Sequence, residues 1–126
     1  MFTIIARWTI VHGREAAART ALTRLAKQVR AKEPDTLLYV VFVPDLTELS
    51  LPTASPLEVV FVEGYRNKAA FLAHLNGPVF TQFKEKHQGL FLCTTVTGQD
   101  GKPVESPFVL VQNLRRLGGF VRPAAH

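Results

Sequence analysis

A chain of 126 residues and 14.0 kDa, 47% of it hydrophobic, has the size of one domain with a core of its own. Its single cysteine, Cys93, excludes an intrachain disulfide and a cysteine-built metal site. The net charge of +5 leaves an anionic partner open. However, Arg14, Arg19, Arg24, Lys27, Arg30 and Lys32 fall along one predicted helix, mostly off its apolar stripe, with no RNP-like strand or glycine-rich phosphate loop beside them. They read as a solvated face, and no nucleic-acid partner is expected.

The apolar start, Met1 to Val11, carries Arg7, is too short to span a bilayer and lacks the basic leader and cleavage site of a signal peptide. The expected setting is cytoplasmic, without a membrane partner. Phe2 to Ile10, rich in β-branched and aromatic residues, predicts a first strand, and His12-Gly13 a turn. From Arg14 to Lys32, Ala18, Leu22, Leu25 and Val29 recur at helical spacing. Glu33-Pro34-Asp35 ends that helix, because proline disfavours helical geometry in the residue before it.

Thr36 to Val43 predicts a second strand. The proline-rich stretch from Pro44 to Pro56 predicts a connection whose Leu46, Leu49 and Leu51 pack on the domain, close over a pocket or touch another subunit; packing on the domain is the expectation. Glu58 to Tyr65 predicts a third strand, with Val59, Phe61, Glu63 and Tyr65 on one face and Val60, Val62 and Gly64 on the other.

Asn67 suits a helix N-cap, Asn76-Gly77 a helix end, and Pro78 the first turn of the next helix. That second helix carries Phe80, Phe83, His87 and Leu90 as one stripe, closed by Gly89. Phe91 to Thr97 and Phe108 to Leu114 read as strands separated by a turn region at Gly98 to Gly101, and one of them completes the sheet.

The order strand, helix, strand, strand, helix, strand is that of an α+β, ferredoxin-like antiparallel sheet with helices on one face. Residues 1–97 are expected to form that domain. Residues 98–126 are expected to form an extension whose extra strand packs on a partner subunit, and the apolar second face of the sheet predicts a homodimer.

Of the four histidines, His12 precedes a turn and His126 ends the chain, and neither has an evident partner. No pair shows the spacing of a metal site, so none is expected. Phe71, Leu72 and Leu75 set the stripe of the first short helix, which places His74 on its border. Helical geometry alone favours a half-exposed histidine bonded to water or backbone over an acid/base group facing a pocket. His87 sits deeper on its own stripe. Trp8, Tyr39, Phe61, Tyr65, Phe71, Phe80 and Phe83 are candidate pocket walls, with His87 beside them and the Glu63 carboxylate and His74 imidazole as polar groups. For Glu63, an ion pair with Arg66 or the N-terminal strand is as good a reading as a functional role.

The run Val62-Glu63-Gly64-Tyr65-Arg66-Asn67 followed by Ala69-Ala70-Phe71-Leu72-Ala73-His74 and Gly77-Pro78-Val79-Phe80 resembles the antibiotic biosynthesis monooxygenase family, in its quinol-monooxygenase-like branch. Phe2-Thr3-Ile4-Ile5-Ala6, Gly13 and Glu33-Pro34-Asp35-Thr36-Leu37 before Tyr39 follow the order of that family, over roughly residues 2 to 90. The resemblance implies a dimeric α/β barrel that oxygenates a quinol-like or polycyclic phenol with O2 and no cofactor, His74 and Glu63 being catalytic and the aromatic set binding substrate. Val79 stands where many relatives place a second histidine, and Lys84 where haem-degrading relatives place an iron ligand. The alternative is a non-catalytic dimer that binds a small hydrophobic ligand or haem.

Overall fold

The computed structural model describes residues 1–52, 54–98, 100–106 and 110–123. His126 and the start of the last expected strand, Phe108, lie outside them.

Three strands follow the expected pattern closely. β1 (Phe2–Thr9), β2 (Thr36–Phe42) and β3 (Glu58–Tyr65) pair antiparallel with β3 in the middle, Trp8 opposite Val59 and Tyr39 opposite Glu63. Residues opposite each other share a face. One face therefore gathers Ile4, Ala6 and Trp8 with Val59, Phe61, Glu63 and Tyr65, all of them buried. α1 (Glu15–Lys32) lies on that face and buries Ala18, Leu22, Leu25 and Val29, as their spacing requires, together with Ala21. Gly13, at φ +87°, makes the turn into α1 with a backbone that a side chain would strain. α2 (Lys68–Asn76) and α3 (Pro78–His87) complete the helical layer and meet at Gly77-Pro78.

A short 3₁₀ turn, Gln88–Leu90, follows α3, and Phe91 makes one bridge to Ile10. Only Thr94–Thr97 of the expected strand forms, as β4, and it pairs with β5 (Pro103–Ser106) in a separate hairpin. No strand was expected at β5, where prolines and glycines suggested only turns. The fourth position of the sheet is filled by β6 (Leu110–Leu114), which pairs with β1 at Thr3 to Leu114 and Ala6 to Val111. The choice left open by the sequence thus falls on the last strand, which comes from the expected 98–126 extension and pairs in the sheet of its own chain.

The opposite face is uncovered. Ile5, Val40, Val60 and Val62 are half-buried there, and Leu38, Phe42 and Leu114 are exposed. The 44–56 connection departs from expectation too. Leu46, Leu49 and Leu51 are exposed, Leu49 at 90%, rather than packed on the domain. Asp45 and Glu48 instead accept hydrogen bonds from Thr47 and Ser50, closing local turns that leave the leucines outside. No helix among the described residues is long and apolar enough to cross a membrane.

Candidate active site

α2 starts where Asn67 accepts a hydrogen bond from the Ala70 amide at 2.9 Å. Burial along the helix reverses the expected stripe. His74 is 3% exposed, whereas Leu72 is 40% exposed and Phe71 and Leu75 are only half-buried. The reason lies outside the helix: two carboxylates wait beneath it. His74 Nδ1 is 2.7 Å from Glu33 Oε1, contributed by the residue that caps the end of α1. On the other side of the ring, Nε2 is 3.9 Å from Glu63 Oε1. That same oxygen accepts the Tyr65 hydroxyl at 2.5 Å. A buried imidazole is tolerated when its polar atoms find partners, and this one has a carboxylate on each side.

Glu63 makes no ion pair with Arg66, which binds Asp35 instead at 2.9 Å. Its place is on the helical face of β3, where burial raises its pKa above the usual carboxylate range; the Tyr65 hydrogen bond and His74 work against that rise, and the Glu33 charge adds to it. Burial also pushes the Tyr39 phenol far up, with the nearby Glu63 and Glu33 charges adding to it. Tyr65 rises for the same reason, reinforced by the charge and hydrogen bond of Glu63. Both phenols therefore stay protonated near neutral pH, and Tyr65 donates to Glu63. Proton acceptance at this end of the domain falls to His74 and the carboxylates.

These groups close one end of a cavity of about 190 Å³. Trp8, Tyr39, Phe61, Phe71 and Phe80 line it together with Glu63 and His74, and Ala6, Leu75 and Val111 complete the wall. The His74 ring packs among Tyr39, Tyr65 and Phe80, with centroids 5.4, 5.6 and 5.2 Å away. Tyr65 stands behind Glu63 rather than in the wall. Phe83 packs against Trp8, Phe91 and His87 in the core, at 6.0, 6.0 and 5.3 Å. His87 borders an open groove between α1 and α3 with Arg14, Arg24 and Lys86, away from the cavity. The structure thus brings together most of the expected wall and leaves Tyr65, Phe83 and His87 outside it.

Four lining or supporting residues had not been singled out for the site: Ala6, Leu75, Val111 and Glu33. Glu33 read as helix punctuation, and its 41-residue separation from His74 hides the contact. Val111 belongs to the strand whose place in the sheet was open, although its alternation with Gln112 was a signal. Among the described residues, no group of three or more His, Cys, Asp and Glu side chains is arranged to hold a metal ion.

Residues 1–86 match the sequence profile of the antibiotic biosynthesis monooxygenase family. The chain belongs to this family. Solved structures agree on the fold. A structure described as an antibiotic biosynthesis monooxygenase superposes with a TM-score of 0.66 at 21% identity, covering 94% of this chain and 100% of its own. A Pseudomonas aeruginosa protein gives 0.65 at 22% identity over 93% and 94% of the two chains. A Deinococcus radiodurans protein, named for the same family, gives 0.61 at 19% over 99% and 100%. No curated protein matches the chain. Against the family pattern, Val79 is a buried apolar residue and Lys84 lies with its Nζ 5.4 Å from the centre of the Phe80 ring, so neither offers a histidine to the cavity.

Proposed function

We propose that this family member is a monooxygenase that oxidises a compact quinol-like phenol with O2 and without a cofactor, in the cavity under α2. The observation that carries the reading is an aromatic-walled cavity whose polar groups, His74 and Glu63, converge at one end. An apolar cavity of about 150 Å³ can hold one benzene ring. A cavity of about 190 Å³ therefore favours one ring with small substituents or two fused rings over a larger polycycle.

The wall would hold the ring by its faces, and the polar end would meet its hydroxyl. His74 Nε2 takes the hydroxyl proton, leaving an electron-rich phenolate in a space that excludes water. The phenolate passes an electron to O2, and the two radicals join to form a peroxide on a ring carbon. His74 returns its proton to the outer oxygen of that peroxide, the carbon loses its hydrogen as a proton, the O–O bond breaks, and the hydroxide that leaves takes up a proton to become water. Hydroquinone and O2 thus give hydroxyquinone and water. The ring supplies all four electrons, so no second reductant is needed. Tyr65 keeps Glu63 in place, and the Glu63 charge supports the imidazolium formed when His74 takes the proton.

The uncovered sheet face supports a homodimer as the working form. Leu38 and Phe42 are exposed on β2 and Leu114 on β6, with the half-buried Val60, Val62 and Ile5 of the strands between them on the same face, and Leu117, Phe120 and Val121 of the tail are exposed as well. A second copy would cover the same patch symmetrically.

Oxygen consumption with menadiol, a two-ring hydroquinone, tests the function. The wild type should consume O2 well above the buffer rate, and His74→Ala should lose on the order of a hundredfold in turnover, the usual contribution of a positioned acid/base group. A His74→Ala protein as fast as the wild type would remove His74 from the mechanism.

A further inference from the structure

His74 separates two spaces. On one side is the aromatic cavity, with Glu63 in its wall. On the other is a cleft of about 280 Å³ at the corner where the end of α1 meets α2 and α3, bordered by Glu33, Asp35, Ala73, Pro78 and Val79 among others. Among the described residues, His74 alone belongs to both linings. Its two ring nitrogens face opposite ways, Nε2 toward Glu63 and Nδ1 toward Glu33. The His74 side chain is 2% exposed and that of Glu33 19%, so the carboxylate reaches water where the imidazole does not.

We propose that Glu33 is a positioning residue that holds His74 as the Nδ1–H tautomer and exchanges that proton with the outer cleft, so that His74 moves protons between the aromatic cavity and solvent. An imidazole is suited to this, because one nitrogen can accept a proton while the other releases one. When a phenol in the cavity gives its proton to Nε2, the Nδ1 proton passes to Glu33 Oε1, and Glu33 releases it to water in the cleft. The reverse transfer brings a proton through Glu33 to Nδ1 while Nε2 protonates the peroxide. The two transfers cancel over a turnover, as the balance of hydroquinone and O2 against hydroxyquinone and water requires.

Deprotonation of the phenol and protonation of the peroxide are separate steps, and an imidazolium waiting between them would sit among the aromatic walls of the cavity. A base drained from behind, through a carboxylate at the end of another helix, stays neutral in that interval. The purpose of the route rests on the proposed oxygenation. The route itself can be read in the resting protein with no substrate present.

The test is nitrogen-15 spectroscopy of the histidine rings at an alkaline pH where imidazole is neutral. Wild-type His74 should show a protonated Nδ1 and a bare Nε2; the opposite tautomer would overturn the proposal without any variant. In Glu33→Ala the preference for Nδ1–H should be lost, and formate, small enough to enter the cleft, should restore it. An unchanged tautomer in Glu33→Ala overturns the positioning role. Glu33→Gln keeps an oxygen that can accept from Nδ1–H but cannot take up the proton. It should retain the tautomer while exchange of that proton with water slows by about tenfold or more, the lower range expected when a proton acceptor is removed. Equal exchange in wild type and Glu33→Gln overturns the relay. With menadiol, Glu33→Gln should lower kcat with little change in KM. If the spectra behave as stated and no quinol is oxidised, the proton route stands and the proposed substrate class falls.

Discussion

The two faces of the four-stranded sheet are made by the same alternating strands and end in opposite conditions. On one, Trp8, Phe61 and Tyr65 are sealed under three helices, and among the described residues the buried charged or imidazole side chains there are Glu63, which accepts from Tyr65, and His74, which meets Glu33. On the other, Phe42 remains 52% exposed, with Leu38 exposed on the same strand and Leu114 on the opposite edge strand. The first face is completed within one chain and includes the cavity; the second offers a surface of similar apolar character with no helix to cover it. Chemistry and assembly are thus assigned to different sides of one sheet, and they can be broken separately.

The largest effect is expected on the sealed face. Trp8→Ala removes a ring packed against Phe61 at 4.4 Å and Phe91 at 5.1 Å, and should cost about 3–5 kcal/mol of unfolding free energy in urea titrations. A loss under about 1 kcal/mol would mean that the ring borders space already open to solvent. On the uncovered face, Phe42→Asp should leave the unfolding free energy of the monomer within about 0.5 kcal/mol, the usual range for an exposed site. It should raise the dimer dissociation constant at least about tenfold in sedimentation equilibrium. A wild type that sediments as a 14.0 kDa species at micromolar concentration would refute the assembly proposed for that face.

The smallest and most pH-dependent effect concerns Glu63. Its pKa is raised in the folded chain, so the native state holds the proton more tightly than the unfolded state. The stability this gives is full below the ordinary carboxylate pKa and is lost as pH rises through the raised value. Glu63→Gln, which can still accept from Tyr65, should therefore melt higher than wild type near neutral pH. The gap should close as the pH falls toward 4. A gap that widens in acid would reverse the assignment.

How far the sequence could be read follows from the range of the interactions involved. α1 and β3 were legible because Leu22, Leu25 and Val29, or Val59 and Phe61, repeat with the period of their own element. The place of β6 was not, because pairing with β1 joins residues more than a hundred positions apart, such as Thr3 and Leu114, and two apolar segments could have filled it. The aromatic walls were visible as a set, yet Phe83 and Phe80, on one helical stripe, divide between core and cavity. His74 illustrates the same limit. A nine-residue helix carries too little periodicity to fix its own rotation, and the partners that flank His74, Glu33 at the C-cap of α1 and Glu63 on β3, lie outside it. The resemblance singled out His74 where helical geometry placed it on a border.

The central claim, that one atom of O2 is transferred to a phenol held under α2, is tested most directly by supplying isotopically heavy O2 with menadiol and weighing the product. A hydroxyquinone carrying one heavy oxygen, with the other in water, should be formed by wild type and be nearly absent with His74→Ala. Unlabelled quinone accompanied by hydrogen peroxide, at the same rate in both proteins, would contradict it.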